Sequence, residues 1–288
     1  MKILLLGAGG QVGRALVKAA PMGYTVVSKT RAQLDIGDEA AVAAALAQTQ
    51  ADWIVNAAAY TAVDRAESEA ALALAINDTA VGVLARAAAL SACRLLHLST
   101  DFVFDGRSNR AYLPTDPTNP LSVYGASKLG GERRVVGDGR DGIVLRTAWV
   151  YDSSGRNFAL TMLRLMQERP EVRVVCDQIG APTWAASIAE AIWGLIGAAA
   201  PPGIFHWTDL GVASWFDFAV AIQEEALARG LLTQLVPIVP IATTAYPTPA
   251  VRPQFSVLNT ESARALVPTP AHHWRQNLRK MLDELRSA

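Results

Sequence analysis

From the first residue, short apolar runs alternate with longer stretches whose apolar positions recur at helical spacing. Residues 2–6 (KILLL) read as a strand buried on both faces, followed by a glycine-rich turn and a helix over about 10–20. Residues 24–28 form the second predicted strand, 39–48 an alanine-rich helix and 53–56 the third strand. A mostly helical stretch over 66–91 leads to a fourth strand at 94–99, a proline-rich loop, a helix at about 122–136 and a fifth strand at 143–146. Strands bounded by turn residues and separated by helices are the pattern of parallel βαβ units, so residues 1–150 read as a doubly wound parallel sheet of the Rossmann-like α/β class. Residues 151–288 are less regular, with helices expected at 158–168, 184–197, 214–229 and 272–286 and short strands near 172–175 and 204–207. The proline- and threonine-rich segment 237–253 predicts an irregular connection. The second half reads as a smaller domain carried on the first and interleaved with its last strands.

The 288 residues are 51% hydrophobic, with 26 basic and 26 acidic side chains, so no charge footprint for nucleic acid or an anionic bilayer is expected. Residues 191–208 and 230–251 lack charge, but prolines interrupt both and neither predicts a membrane-crossing helix. The apolar run after Met1-Lys2 is too short for a signal sequence, and a soluble cytoplasmic protein is the expectation. Cys93 and Cys176 have no Cys-x-x-Cys partner; both are expected to pack as small hydrophobes, and the histidines show no metal-ligand spacing. The chain has only five lysines: Lys2, Lys18, Lys29, Lys128 and Lys280.

Gly7-Ala8-Gly9-Gly10-Gln11-Val12-Gly13 follows the first strand and opens the first helix. Glycines here permit a tight turn and close backbone approach, and the helix N-terminus offers free N–H groups to a pyrophosphate; a purely structural turn is the alternative. After the second strand stands Ser28-Lys29-Thr30-Arg31 rather than an acid. Lys29 and Arg31 suit a 2′-phosphate and favour NADP(H), with NAD(H) still possible; the other reading is a solvated basic loop.

Tyr124 and Lys128 stand four residues apart on one helical face. A phenol of ordinary pKa ~10 is a poor acid at neutral pH, and a nearby ammonium is expected to draw it down toward a useful value. Tyr124 then protonates a carbonyl oxygen while a dihydronicotinamide gives hydride to the carbon. The alternative is a surface contact. Ser99-Thr100-Asp101 closes the fourth strand, where the carboxyl ends of a parallel sheet meet their ligand; hydroxyls there bond a substrate oxygen or merely cap the turn.

The ordered set GxxGxxG (7–13), NAAAYTAVDRAE (56–67), LSTDFVFDG (98–106), PLSVYGASKLGGE (120–132), LRTAWVY (145–151), DQIGAPT (177–183) and AYPTPAVRP (245–253) resembles the dTDP-4-dehydrorhamnose reductase family. That family is a branch of the extended short-chain dehydrogenases/reductases. The resemblance implies NAD(P)H-dependent reduction of the 4-keto group of dTDP-4-dehydro-β-L-rhamnose, the last step to dTDP-L-rhamnose, a precursor for O-antigen lipopolysaccharide. It implies Thr100, Tyr124 and Lys128 as catalytic residues, with Lys128 also on the nicotinamide ribose. It places Asp35 and Ile36 near the adenine and Ala58, Ala59, Tyr60 and Ser99 along the dinucleotide. Asp101 and Trp149 would touch the sugar nucleotide, with Asn157 and Arg252 toward its nucleotide end; Arg252 is equally readable as a surface charge and Trp149 as core. Phe102 stands where a tyrosine is common in the family. Some members are dimers with interface Mg²⁺, but no convincing acids align for it here, so a monomer or homodimer without an assigned metal is expected. Two other readings stay open: a related nucleotide-sugar epimerase or dehydratase with tightly held NAD⁺, and a non-catalytic homologue resembling the regulatory subunit of eukaryotic methionine adenosyltransferase.

Overall fold

The computed structural model describes residues 1–137 and 141–287. The first half alternates as β1 (Lys2–Leu6), α1 (Gln11–Lys18), β2 (Thr25–Lys29), α2 (Glu39–Thr49) and β3 (Trp53–Asn56). A short helix α3 (Val63–Ala66) then precedes α4 (Ala70–Leu74), one π turn at Ala75–Thr79 and α5 (Ala80–Leu90). Next come β4 (Arg94–Thr100), α6 (Val123–Val136) and β5 (Gly142–Thr147). The second half holds β6 (Val150–Tyr151), α7 (Phe158–Glu168), β7 (Val172–Val175), β8 (Ile179–Gly180), β9 (Thr183–Trp184) and α8 (Ala185–Gly197). It ends with β10 (Gly203–His206), β11 (Ala213–Ser214), α9 (Trp215–Ala228), β12 (Ile238–Ile241), α10 (Glu261–Arg264) and α11 (Trp274–Ser287).

Six parallel strands form the central sheet in the order β10-β5-β4-β3-β1-β2. The sheet is covered on both faces, which is why its strands read as unbroken apolar runs. In β1, Ile3 and Leu5 face a core shared with α1 and α8, while Leu4 and Leu6 face one shared with α2 and α5. The chain reverses direction across the sheet between β1 and β3, so the turns after these strands diverge and leave a crevice at their carboxyl ends.

Both halves contribute to the sheet, because β10 forms its edge beside β5 and α8 covers it. The remaining second-half elements enclose a separate core around Tyr151, Met162, Phe218, Ile222, Leu278 and Met281. Two expectations are corrected. Within 237–253, Ile238–Ile241 is a strand paired in parallel with Val172–Val175. Pro240 is tolerated because this two-stranded ladder leaves its other edge unpaired. Cys176 is exposed rather than packed, since it lies just beyond β7, whereas Cys93 is buried.

Neither of the uncharged stretches at 191–208 and 230–251 forms a helix long enough to span a bilayer; among the described residues Ala70–Leu90 alone is sufficiently long and apolar. It is half buried and its α5 part packs on the sheet.

Candidate active site

A cleft of about 650 Å³ opens at the carboxyl ends of the strands. Its floor begins with the turn after β1. Gly7 has φ +81°, and a Cβ there would sit 2.5 Å from the Ala58 nitrogen; one on Gly13 would sit 2.2 Å from the Gly7 carbonyl. Glycine is therefore required at both, and the turn brings the β1 and β3 loops into contact. Gly10 caps α1 without a side chain, so the first N–H groups of the helix, at Gln11 and Val12, stay free for an anion. Gly10, Gln11, Val12 and Ala59 line the cleft. Tyr60 is anchored beside it: its N–H donates to Asn77 Oδ1 at 2.9 Å and its hydroxyl to Glu69 at 2.6 Å. The π turn places Asn77 for this contact, and Asn77 also donates to Ser127 of α6 at 3.0 Å.

The end of β4 supplies Ser99, Thr100 and Asp101, all buried and all lining the cleft. Thr100 Oγ1 caps the following turn by accepting from the Phe102 N–H at 3.2 Å, the second of the roles read from sequence, and donates to Asp101 at 3.1 Å. Asp101 Oδ2 and the hydroxyl of neighbouring Thr147 are buried without partners, an arrangement that a polar ligand can complete. Burial, opposed by nearby hydroxyls, pushes the Asp101 carboxyl up to about 6.

Ser122 caps α6 by accepting from the Gly125 N–H, which sets Tyr124 in the first turn and Lys128 one turn on. Both are buried and both reach the cleft. The expected drop in the Tyr124 pKa is not what the site produces. Burial pushes the phenol up to about 12, a hydrogen bond with Thr100 opposes this, and the Asp101 charge adds to it. Lys128 Nζ instead meets His97 Nε2 at 3.1 Å and donates to the Leu98 carbonyl at 2.6 Å. Tyr124 is thus held as a neutral phenol rather than a phenolate.

Below them lies a fully buried ion pair, with Arg146 bidentate on Glu132 at 2.8 and 2.6 Å. Ser99 donates to the same carboxylate at 2.6 Å, so this expected dinucleotide contact is also bound to the helix below.

The facing wall joins Trp149, just past β5, to residues of the second half. Trp149, at φ +47°, stacks on Trp215 with ring centres 3.4 Å apart, and Gly180 lies against its other face, where a Cβ would be 2.5 Å from the indole. Phe158 leans on Trp215 at 4.6 Å, and Gln178 accepts from the Trp215 indole at 3.1 Å. Arg252 lines the cleft and is held by Asp64 at 2.8 Å. Past Trp215 and Arg252, a groove of about 520 Å³ continues over β7 and α7.

Gly7, Gly13, Ala58 and Tyr60 stand beside the cleft without lining it, and four other expected residues are not brought to it. Arg31 is exposed beyond β2, Ile36 packs in the core, and Asp35 takes the Gly37 N–H at 2.9 Å. Asn157 caps α7 and donates to Gln11 at 2.9 Å, so it steadies the α1 terminus instead of lining the cavity. Trp215, Phe158, Arg14 and Arg156 line the cleft without having been read from sequence. A Ser214–Asp217 capping box starts α9, but nothing local in the sequence shows that the first residue of this helix meets Trp149.

The RmlD substrate binding domain family matches residues 1–287. A dTDP-4-dehydrorhamnose reductase of Burkholderia thailandensis is 44% identical over 96% of each chain. Among solved structures, a dTDP-4-dehydrorhamnose reductase of Clostridium acetobutylicum is 35% identical, with a TM-score of 0.93 over 99% of this chain and 100% of that one. The Bacillus anthracis enzyme, solved in complex with NADP, is 32% identical with a TM-score of 0.91 over 98% of this chain and 99% of its own. The chain belongs to the RmlD substrate binding domain family, the family of the dTDP-4-dehydrorhamnose reductases.

Proposed function

We propose that the protein reduces the 4-keto group of dTDP-4-dehydro-β-L-rhamnose to dTDP-L-rhamnose, with NADP(H) as the favoured coenzyme and NAD(H) as a possible one. The observation that carries this reading is the meeting of Thr100, Tyr124 and Lys128 in one cleft, between a glycine-bounded helix N-terminus and a tryptophan wall. The glycine turn fits a dinucleotide, because its Cβ-free backbone and free N–H groups suit a pyrophosphate. Residues 1–150 would hold that group, and residues 151–288 most of the sugar nucleotide.

When bound, the dinucleotide supplies the hydride for C4. Thr100 and Tyr124 orient the ketone oxygen, and Tyr124 Oη gives it the proton that completes the alcohol. The high phenol pKa keeps that proton in place until the oxygen gains charge. Lys128, when protonated, favours its release by stabilising the phenolate. Trp149 and Trp215 close the facing side and exclude water, while Arg252 and the adjoining groove suit the diphosphate and base. Support for NADP(H) comes from the bound coenzyme of the Bacillus anthracis relative. Arg31 and Lys29 remain the proposed 2′-phosphate contacts, at the crevice side of β2 but outside the cleft lining.

Dihydronicotinamide absorbance followed after adding dTDP-4-dehydro-β-L-rhamnose to protein with NADPH, then NADH, tests the reading. Rapid oxidation with dTDP-L-rhamnose as product is expected. Folded, coenzyme-binding protein that oxidises neither would contradict it and favour the epimerase or regulatory alternative.

A further inference from the structure

Behind Lys128, outside the cleft lining, lies a line of polar groups to which neither the fold nor the reduction assigns a role. Asn56 at the end of β3 and His97 in β4 are register partners across the sheet, and both are fully buried. The Ala58 N–H donates to Asn56 Oδ1 at 3.0 Å, which fixes the side-chain amide: reversed, it would set two donors against each other. The Asn56 NH₂ therefore donates to His97 Nδ1 at 3.0 Å. Burial holds His97 neutral, with a pKa far below its ordinary value. A neutral imidazole carries one proton, and with Nδ1 accepting, that proton is on Nε2. It points at Lys128 Nζ, 3.1 Å away. Such an N–H is matched only by a nitrogen with a lone pair, which an ammonium lacks.

We infer that Asn56 and His97 are positioning residues whose amide-to-imidazole relay biases Lys128 toward the neutral amine in the free protein. As an amine, Lys128 accepts from His97, donates to the Leu98 carbonyl at 2.6 Å and keeps one N–H for the cleft. Protonating it requires His97 Nε2 as an acceptor. The imidazole proton then moves to Nδ1, the Asn56 amide reverses, and the Ala58 N–H beside the glycine turn loses its acceptor. The charge on Lys128 and the hydrogen bonding of the crevice backbone are two ends of one relay.

The other groups around Lys128 are Tyr124 one turn back and Glu132 one turn on, both on α6, with Asp101 at the end of β4 and Arg146 on β5. Glu132 opposes the relay by favouring the ammonium, but its carboxylate is already taken by Arg146 and Ser99. Burial draws the lysine down to about 8, and the relay would act in the same direction.

The catalytic consequence rests on the proposed reduction, but the test is made on free protein and stands or falls without turnover. Having only five lysines makes [¹³C]lysine spectra resolvable, with Lys128→Met to assign the signal. The Lys128 signal is expected to titrate near pH 8, below the ordinary lysine value of about 10.4. [¹⁵N]histidine spectra should show His97 protonated at Nε2. In Asn56→Asp, the carboxylate accepts from both the Ala58 N–H and an Nδ1–H. The imidazole proton should therefore change sides, and the proton affinity of Lys128 should rise about tenfold or more. Asn56→Leu, which lacks both amide ends, should place the lysine in between. His97 protonated at Nδ1 in the unaltered protein would overturn the inference, as would Lys128 titrating at the ordinary lysine value of about 10.4. A lysine raised in Asn56→Asp with the His97 proton unmoved would also overturn it, because charge alone would then have acted.

Discussion

On one side of the cleft, the glycine turn, Ser99 to Asp101 and the first turns of α6 all come from strand–helix junctions of a single sheet. On the other, Trp149 follows β5, while Phe158, Trp215 and Arg252 come from three second-half segments that meet it only through packing. In the proposed reaction the first wall holds the proton donor and the anion-binding helix end, whose positions follow from sheet geometry. The second wall is aromatic and suited to recognition by shape. On that proposal chemistry is fixed to the rigid sheet, while specificity is carried by segments able to vary without disturbing it.

If the walls divide labour in this way, variants should separate kcat from KM. The largest effect is expected from Tyr124→Phe, with kcat lowered about 100- to 10,000-fold and NADPH affinity unchanged within about twofold, read by stopped-flow and fluorescence titration. Glu132→Gln should be next, because it leaves Arg146 buried without a counter-charge; a cost of about 3 kcal/mol would lower the melting temperature by roughly 5 °C. The same change at the exposed Glu168, which pairs with Arg164, should cost less than about 0.5 kcal/mol. Trp215→Ala should raise KM for the dTDP sugar about 5- to 10-fold and leave NADPH affinity alone, as loss of one stacked partner predicts. An equal loss of NADPH affinity would erase the distinction between the walls.

The smallest effect concerns pH. Asp101 has a pKa raised from 3.8 to about 6, so its protonated form is favoured by folding. Its contribution is fully present below the unfolded-state value and is lost as pH rises through about 6. Asp101→Asn should therefore reduce the fall in stability between these two values. Asp209, also held near 6, should preserve part of that slope.

The sheet and the first wall were legible because each rests on a local signal: apolar runs for the strands, glycines at the turn, and a phenol and an amine one turn apart. The relation between Tyr124 and Lys128 was misread. Spacing shows that two groups share a helix face, but not that burial governs one while His97 and Leu98 hold the other. Trp215 gave no signal, because its partner lies in a different segment and its significance arises only on packing. Asn157 and Pro240 show the opposite failure. A polar residue near the site became a helix cap, and a proline taken to exclude regular structure sits in a strand with a free edge.

The central claim, net reduction at the Tyr124 cleft, is tested most directly by NADPH deuterated at the transferable C4 position, with dTDP-4-dehydro-β-L-rhamnose as substrate. NMR of the product should show deuterium at C4 of the rhamnose, one atom for each NADPH consumed. Deuterium retained in the coenzyme, or a sugar transformed with no net NADPH oxidation, would contradict the account.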